Sequence, residues 1–530
     1  MSHIATEDSP PARFRILDLF AGPGGLDVAA HVLGHEVTGI EWDKGACATR
    51  SAAGMDTFQG DVRHYRAAFF PRAQVLTGGP PCQTFTVAGH GAGRRALDQV
   101  LEYIERLHTA VRPENEQGWR EIFHTWRQIS EELRRREIEA KEVRSEKRKV
   151  EEVRSAKRRA MKNRLEHLGI SADSVKKIMK QLRAPQNVDS PDGEFMVLLK
   201  EFSELSDELD KLKDKLEEFG DERTGLVLQP LWWVIERSRR PGSEPYQAVV
   251  LEQVPAVMPV WKEYAKVLAT LGYRTGTQLM HTEEFGVPQT RRRAVLMARL
   301  DPTASPTGLA PLPKVPETHE RYRPGGSSAQ SSKAGRADPL PLEDQKDPCI
   351  SIKKALETAR SVETEQSVKK DLPERPAFTV ISNYGTGGDP EARGERDYDA
   401  PSATITGKVS RNRLVHKGTN RDLSEFDRFT PTEAGVLQTF PVEYPWRGND
   451  VSQQIGNAVP PRLALHVLRH VLEPELGRQE VDDRMKLAVE ELLTWKQPAE
   501  PVRIHRHRDL KGHQLARRHP LPLTPEVSGP

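Results

Sequence analysis

Between Arg15 and Ala298 short apolar runs recur, RILDLF, EVTGIEW, AQVLTGG, AVVLEQV and RRAVLMA, each followed by a turn or helix signal. Short apolar runs bounded by Gly, Pro or charge are the pattern of strands buried on both faces. Their alternation with helical stretches predicts an α/β fold wound around a mostly parallel sheet. Over residues 114–222 this rhythm stops and Glu, Lys and Arg take over, crossed by thin apolar seams. Leu198, Phe202, Leu205, Leu209, Leu212, Leu216 and Phe219 step by fours and threes, and Trp119, Ile122, Trp126, Ile129 and Leu133 do the same. Those steps predict an antiparallel helical hairpin, a coiled coil inserted in a loop, with residues 184–193 near its turn.

Residues 302–347 are rich in Pro, Ser, Gly and Ala and read as a linker or long loop. Two Pro-led β-type runs follow, RPAFTVISNYGTGG and APSATITGK, each closing on glycine and together predicting a small loop-rich domain. Apolar patterning returns over 430–472, and the basic tail RIHRHRDLKGHQLARRH reads as mobile.

Composition narrows the class. A chain of 530 residues exceeds one ordinary core, and 29% charged against 36% hydrophobic residues means that part of it is solvated helix or loop. Lys and Arg, 79 in all, nearly cancel 77 Asp and Glu, so a nucleic-acid footprint has to be local. The cysteines Cys47, Cys82 and Cys349 are odd in number with no CxxC, which predicts neither a disulfide framework nor a zinc site. The opening MSHIATEDSPPARFR lacks a signal peptide's apolar core, and no stretch has the length of a membrane helix. A cytoplasmic, nucleoid-associated protein with no membrane partner and no metal is the expectation.

Candidate chemistry gathers at predicted strand ends. RILDLFAGPGG runs a strand into a glycine-rich turn and a helix, a form that lets a ligand approach the backbone, although it also serves tight packing. The next strand, TGIEW, ends in an acid where such sheets bind ribose hydroxyls, so Glu41 suits a ribose and Trp42 the face of an adenine. Asp61 in QGDVR stands where it can accept from an adenine amino group. In VLTGGPPCQTFTVAG two prolines set the backbone ahead of Cys82, and paired glycines leave room for a ligand beside its thiol. Most free cysteines are inert buried hydrophobes; small, rigid neighbours at a strand's carboxyl end argue for a nucleophile here.

DLFAGPGG, IEWD, GDVR and GGPPCQTFTVAG, in that order, resemble successive motifs of the cytosine-5 DNA methyltransferase family. LEQVP, FGVPQTRRRAVLMA, RFTPTEAGVLQTFP and QQIGNAVPP resemble its later ones, in family order. The resemblance implies a Rossmann-like methyltransferase sheet, contributed by 13–113, 223–300 and 428–475, with the helical hairpin at 114–222. A linker and target-recognition domain would occupy 301–427, and a helix with the basic tail 476–530. It implies S-adenosylmethionine as cofactor, S-adenosylhomocysteine as product, and double-stranded DNA as substrate, its target base flipped out of the stack. It further implies that the final motif packs beside the first.

Cytosine C5 is a weak nucleophile until a thiolate adds at C6, so the scheme needs a nucleophile, Cys82, and an acid at N3, Glu252. Arg291 and Arg293 supply fixed positive charge for the base carbonyl, the DNA backbone or the acid. The implied cofactor pocket comprises Asp18, Phe20, Gly22, Gly24, Glu41, Trp42, Asp61, Val62, Gly79 and Pro80, closed by Asn457 and Ala458. Expected DNA contacts are Gln83, Gln289, Arg375, Arg411 and Arg413, with Asn412 beside them. The chain departs from the family at Gln253, where Asn is usual, a position expected to orient the catalytic loop. A cognate restriction endonuclease is a companion by family association. Self-association, partner docking and extended DNA contact are open readings of the insert. Two rival functions stand beside this one, a catalytically idle DNA-binding regulator and an RNA cytosine-5 methyltransferase. Retention of Cys82 and Glu252 argues against the first, and the long region before the ninth motif against the second.

Overall fold

The computed structural model describes residues 13–81, 92–112, 118–181, 193–219, 224–302, 309–324, 346–364, 366–382, 394–473, 478–496 and 500–510. The chain divides into two compact units, one carrying the sheet and the C-terminal half, the other made of residues 122–225 with the segment before 104.

In the first unit β1 (Arg15–Leu19), β2 (Glu36–Glu41), β3 (Asp56–Gln59), β4 (Val75–Gly78), β5 (Ala248–Gln253), β6 (Tyr273–His281), β8 (Arg292–Leu300) and β13 (Ile504–Arg506) form one sheet. Their order is β13-β3-β2-β1-β4-β5-β8-β6. All neighbours are parallel except β8, which runs against both β5 and β6. Every residue of β4 and β5 is buried, as a sheet covered on both faces requires.

The helices are α1 (Gly25–Val32), α2 (Lys44–Ala52), α3 (Ala92–Val111), α4 (Trp119–His167), α5 (Ala172–Gln181), α6 (Gly193–Phe219), α7 (Gln229–Arg239), α8 (Met258–Thr270), α9 (Ile352–Ser361), α10 (Gln366–Lys370), α11 (Pro431–Leu437), α12 (Val451–Asn457), α13 (Pro461–Leu472) and α14 (Arg478–Thr494). Leu26, Val28 and Ala29 of α1 share one core with Leu463, Ala464, Val467 and Leu468 of α13, so the last apolar segment of the sequence covers the first. None of the described helices is long and apolar enough to cross a membrane.

One ion pair lies under this sheet. Arg50 of α2, fully buried, grips Asp27 of α1 through two hydrogen bonds of 2.8 and 2.5 Å and donates to Thr57 Oγ1 at 3.0 Å. A β-carbon on Gly39 would fall 2.1 Å from Arg50 Nη2, which explains a glycine in the middle of β2.

A second core in the same unit joins Ile352 and Leu356 of α9, Val436 and Leu437 of α11, and Phe378, Val380 and Leu414. The last three belong to a three-stranded antiparallel sheet of β10 (Glu395–Asp397), β9 (Phe378–Ile381) and β12 (Arg413–His416). The second Pro-led run forms β11 (Ser402–Ala403), which pairs with β7 (Gln289–Thr290) and not with that sheet.

The tail differs from its expectation. Although its charge predicts mobility, Ile504–Arg506 is a strand laid along β3, with Ile504 opposite Thr57 and Arg506 opposite Gln59. Backbone hydrogen bonding and the stacking of His505 on Phe58, at 5.1 Å between centroids, outweigh the charge. Residues 511–530 lie outside the described part.

In the second unit, α4 and α6 share a buried seam of Val143, Val150, Leu209 and Leu212, flanked by Leu205 and Leu216. Farther along, Met161, Leu165, Val175, Phe195, Leu199 and Phe202 form another cluster, into which α5 inserts as a third helix that the heptad reading did not foresee. Of the expected turn, 184–192 lie outside the described residues.

Replacing Arg50 by Met strands the Asp27 carboxylate among apolar neighbours. Arg50→Met is therefore expected to lower folding stability by about 3–5 kcal/mol. Urea denaturation followed by tryptophan fluorescence checks this, and an unchanged midpoint excludes it.

Candidate active site

The register of the sheet sets the site. Gly78 lies opposite Leu251, so the segment leaving β4, Gly79, Pro80 and Pro81, runs beside Glu252 and Gln253 at the end of β5. A β-carbon on Gly79 would lie 3.6 Å from Glu252 Oε2, an ordinary contact, which puts the carboxylate directly against the entry to the expected catalytic loop. Cys82 and Gln83 themselves lie outside the described residues. Gln253 reaches across, its Nε2 donating to Pro80 O while its Oε1 accepts from Val254 N at 2.6 Å. The side chain at the family's usual Asn position thus ties the end of β5 to the loop backbone, and its extra methylene does not prevent the bond.

Antiparallel pairing of β8 with β5 puts Val295 opposite Glu252 and Ala294 opposite Gln253, so Arg293 arrives at the same edge. Arg293 Nε is paired with Glu252 Oε1, both groups largely buried. Burial pushes the Arg293 guanidinium below its ordinary range, and the Glu252 charge opposes that. A carboxylate held by one arginine beside a glycine has one edge left for a ligand.

Glycine-rich backbone follows β1. Phe20 adopts a left-handed φ of 61°, rare for an aromatic residue, and Gly22 and Gly24 have φ of 55° and 104°. Nothing lies within 4 Å of where a Gly22 β-carbon would be, whereas one on Gly25 would strike Val459 O at 2.1 Å. One glycine faces open space and the other lets the late segment close on the turn. Tyr444 OH donates to Pro23 O and locks the same junction. Glu41, at the end of β2, accepts from Gly22 N at 2.7 Å and from Trp42 N and Asp43 N at 2.8 and 2.7 Å. Burial raises its pKa, and these backbone donors partly offset the rise. Trp42 is 70% exposed, the largest exposure among the chain's large apolar residues that are described. Burial pushes the Asp61 carboxyl up, but hydrogen bonds and charge from Arg63 outweigh it and leave the group below its ordinary range. Val62 is buried next to it.

Several expected site residues are engaged within the protein. Asp18 is 1% exposed and accepts from Thr77 Oγ1 at 2.7 Å; burial, then the Asp27 charge, hold its carboxyl well above the ordinary range. Its side chain belongs to the core under the turn, leaving only its backbone to line a pocket. Arg291, expected to offer charge to substrate, instead spends Nη1 on Ile405 O at 2.8 Å and Nη2 on Gly456 O and Ala458 O at 2.9 and 3.3 Å. Gln289, expected at DNA, is buried, bonding Leu437 O, Gln438 and, through its Oε1, Ile405 N. Arg375 pairs bidentately with buried Glu433 and caps Phe426 O and Arg428 O. Arg413 is paired with Asp422 at 2.8 Å. Asn412 is buried, whereas Arg411 is exposed. Ala458 is buried and Asn457 exposed, its Oδ1 accepting from Gln453 Nε2 at 3.0 Å.

Sequence reading gave no role to Asp27, Arg50, Thr77 or Tyr444, which act through contacts hundreds of positions apart or through core geometry. The one available signal was a charged Asp27 amid the apolar positions of α1. Among the described residues, no cluster of His, Cys, Asp or Glu could hold a metal.

Comparison with known proteins follows the same segments. The chain is 27% identical over 215 residues to the type II methyltransferase M1.HphI of Haemophilus parahaemolyticus, covering 40% of this chain and 51% of that protein. It is 37% identical over 90 residues to the type II methyltransferase M.SsoII of Shigella sonnei, 16% and 24% of the respective lengths. The matched stretches thus span about half and a quarter of those relatives. Among solved structures, the S. pombe Dnmt2 methyltransferase aligns with 87% of this chain and 99% of its own, at 13% identity and a TM-score of 0.40. The family model described as C-5 cytosine-specific DNA methylase matches residues 14–114 and 216–473, well over half of the chain, and this protein belongs to that family.

Proposed function

We propose that the chain transfers a methyl group from S-adenosylmethionine to C5 of a flipped-out cytosine in duplex DNA, through a transient bond between Cys82 and C6. The observation that carries the reading is the Glu252–Arg293 pair held against Gly79, at the mouth of the segment that leads to Cys82. A restriction-modification setting, with a cognate endonuclease, is supported by the printed names of the relatives, both type II methyltransferases.

Cys82 as thiolate adds to C6, and the electron pair of the C5–C6 bond becomes available at C5. Glu252 meets the N3 edge of the ring, and a proton shared between its carboxyl and N3 drains the charge that develops across the ring. Arg293 fixes which oxygen of Glu252 faces outward, and Gln253 holds Pro80 so that the thiol approaches from a set direction. Loss of the C5 proton to solvent, return of the N3 proton to Glu252 and departure of the thiolate restore the aromatic ring. The cofactor, when bound, supplies the sulfonium methyl. The residues beside the turn fit it: Gly22 opens onto space, Glu41 suits ribose hydroxyls, and Trp42 offers an uncovered ring to an adenine, while Asp61, whose oxygens accept from Arg63, would take the amino group only in exchange for part of that contact.

Cys82→Ala is expected to abolish transfer of label from S-adenosylmethionine to duplex DNA and to form no covalent adduct with 5-fluorocytosine DNA; transfer at the parent rate discards the reading. Glu252→Gln keeps a hydrogen-bond donor but loses the acid, so single-turnover rates should drop about 10²- to 10⁴-fold while DNA affinity holds. For Trp42→Ala, equilibrium dialysis without DNA should show cofactor binding weakened roughly tenfold, corresponding to about 1.4 kcal/mol of lost stacking. Equal binding removes Trp42 from the pocket.

A further inference from the structure

We propose that the helical unit carries a second DNA-binding surface, which grips the phosphate backbone through Arg158, Arg159 and Lys162 of α4 and Lys176, Lys177 and Lys180 of α5. The inference rests on the reading of the chain as an enzyme of DNA, and goes beyond it, because residues 115–215 fall outside the matched family segments.

Charge is mixed along the first part of α4, where Lys141 pairs with Glu137 and Lys147 with Glu151, but sorted toward its end and in α5. From Arg154 to Lys180 nine Lys or Arg stand against two acids, Glu166 and Asp173, in a chain whose net charge is only +2. The cations that turn toward α6 are matched there: Lys157 pairs with Glu201 at 2.6 Å, Arg164 with Glu194 at 3.0 Å, and Arg154 lies over the Phe202 ring at 4.7 Å. The six named residues are all exposed, and Lys162 alone of them has an ion pair among the described residues, a 3.5 Å contact with Glu166 on its own helix. Arg158, Arg159 and Lys162 fall within about 100° of arc on α4, a single flank.

Val175 of α5 is buried with Met161, Leu165, Phe195, Leu199 and Phe202, so the lysines of α5 are carried on a packed helix and not on a free strand of chain. Surface lysines and arginines are ordinarily balanced by neighbouring acids, and the repulsion within an unbalanced group is relieved when an anion binds across it. Duplex DNA, with about one negative charge per 1.7 Å of axis, is the polyanion that the proposed activity brings to the protein.

The test uses the full chain carrying Cys82→Ala, with anisotropy of a labelled, cytosine-free dA·dT duplex of about 40 base pairs read between about 50 and 200 mM salt. Binding is thereby separated from methyl transfer, and either proposal can fail without the other. Adding Arg158→Gln, Arg159→Gln, Lys176→Gln and Lys177→Gln is expected to flatten the slope of log K against log salt by about 3 to 4, at roughly 0.9 per lost phosphate contact. Replacing Arg158 and Arg159 by Lys keeps the charge and should keep the slope. A glutamine variant with the parent's slope and affinity overturns the proposal. So does a lysine variant that loses the slope, since the residues would then act through structure and not through charge. Circular dichroism confirms that each variant retains its helices.

Discussion

The candidate site depends on a buried polar knot at Gln289, Arg291 and Gln438. Four segments converge there, the stretch from β7 to β8, the chain after β11, and the ends of α11 and α12, and each brings backbone groups that its own element leaves unbonded. Gln438 Nε2 donates to Ile455 O and Ala458 O at 2.9 and 3.0 Å, Gln289 joins Leu437 O to Ile405 N, and Arg291 closes on Ile405, Gly456 and Ala458. A buried carbonyl left without a donor costs about 1–3 kcal/mol, so removal of any one of these side chains exposes several such debts at once. Burial, followed by the like charge of Arg293, pushes Arg291 well below its ordinary range.

From that knot the active edge follows. Arg291 anchors the beginning of β8, and two residues later Arg293 meets Glu252. Two arginines of one motif therefore have different partners, one bonding backbone carbonyls and the other a carboxylate. On the opposite side of β4, Gly25 and Tyr444 bring the late segment against the glycine-rich turn, while Gly22 keeps its open side. Residue 18 illustrates the economy: a carboxyl that stands in the glycine-rich motif contributes beneath the turn, accepting from Thr77 and lying in the fields of Asp27 and the buried Arg50.

The helical unit follows another logic. Its core is a narrow seam, and near the end of α4 the cations divide between those that pair with α6 and an exposed group in which, among the described residues, only Lys162 meets an acid. Such a module adds surface without enlarging the sheet's core, which suits an insertion in a loop.

Much of this was legible in the sequence because it is local. Apolar runs mark β1, β2, β4, β5 and β8, glycines mark the turn after β1, the heptad steps mark α6, and motif order alone singles out Glu252. The division of roles between Arg291 and Arg293 was not legible. Alternation along a strand would send both to one face, but β7 pairs with β11 and β8 with β5, and Arg291 falls at the break between them. Gln289 and Arg375 were expected at DNA, and only packing made them interior, since a side chain's partners lie on segments whose approach no local pattern encodes. The tail shows the same limit. Its charge forecasts mobility, yet parallel pairing with β3, an edge strand more than four hundred residues earlier, is decided by a free row of backbone donors and acceptors that exists only after the sheet has formed.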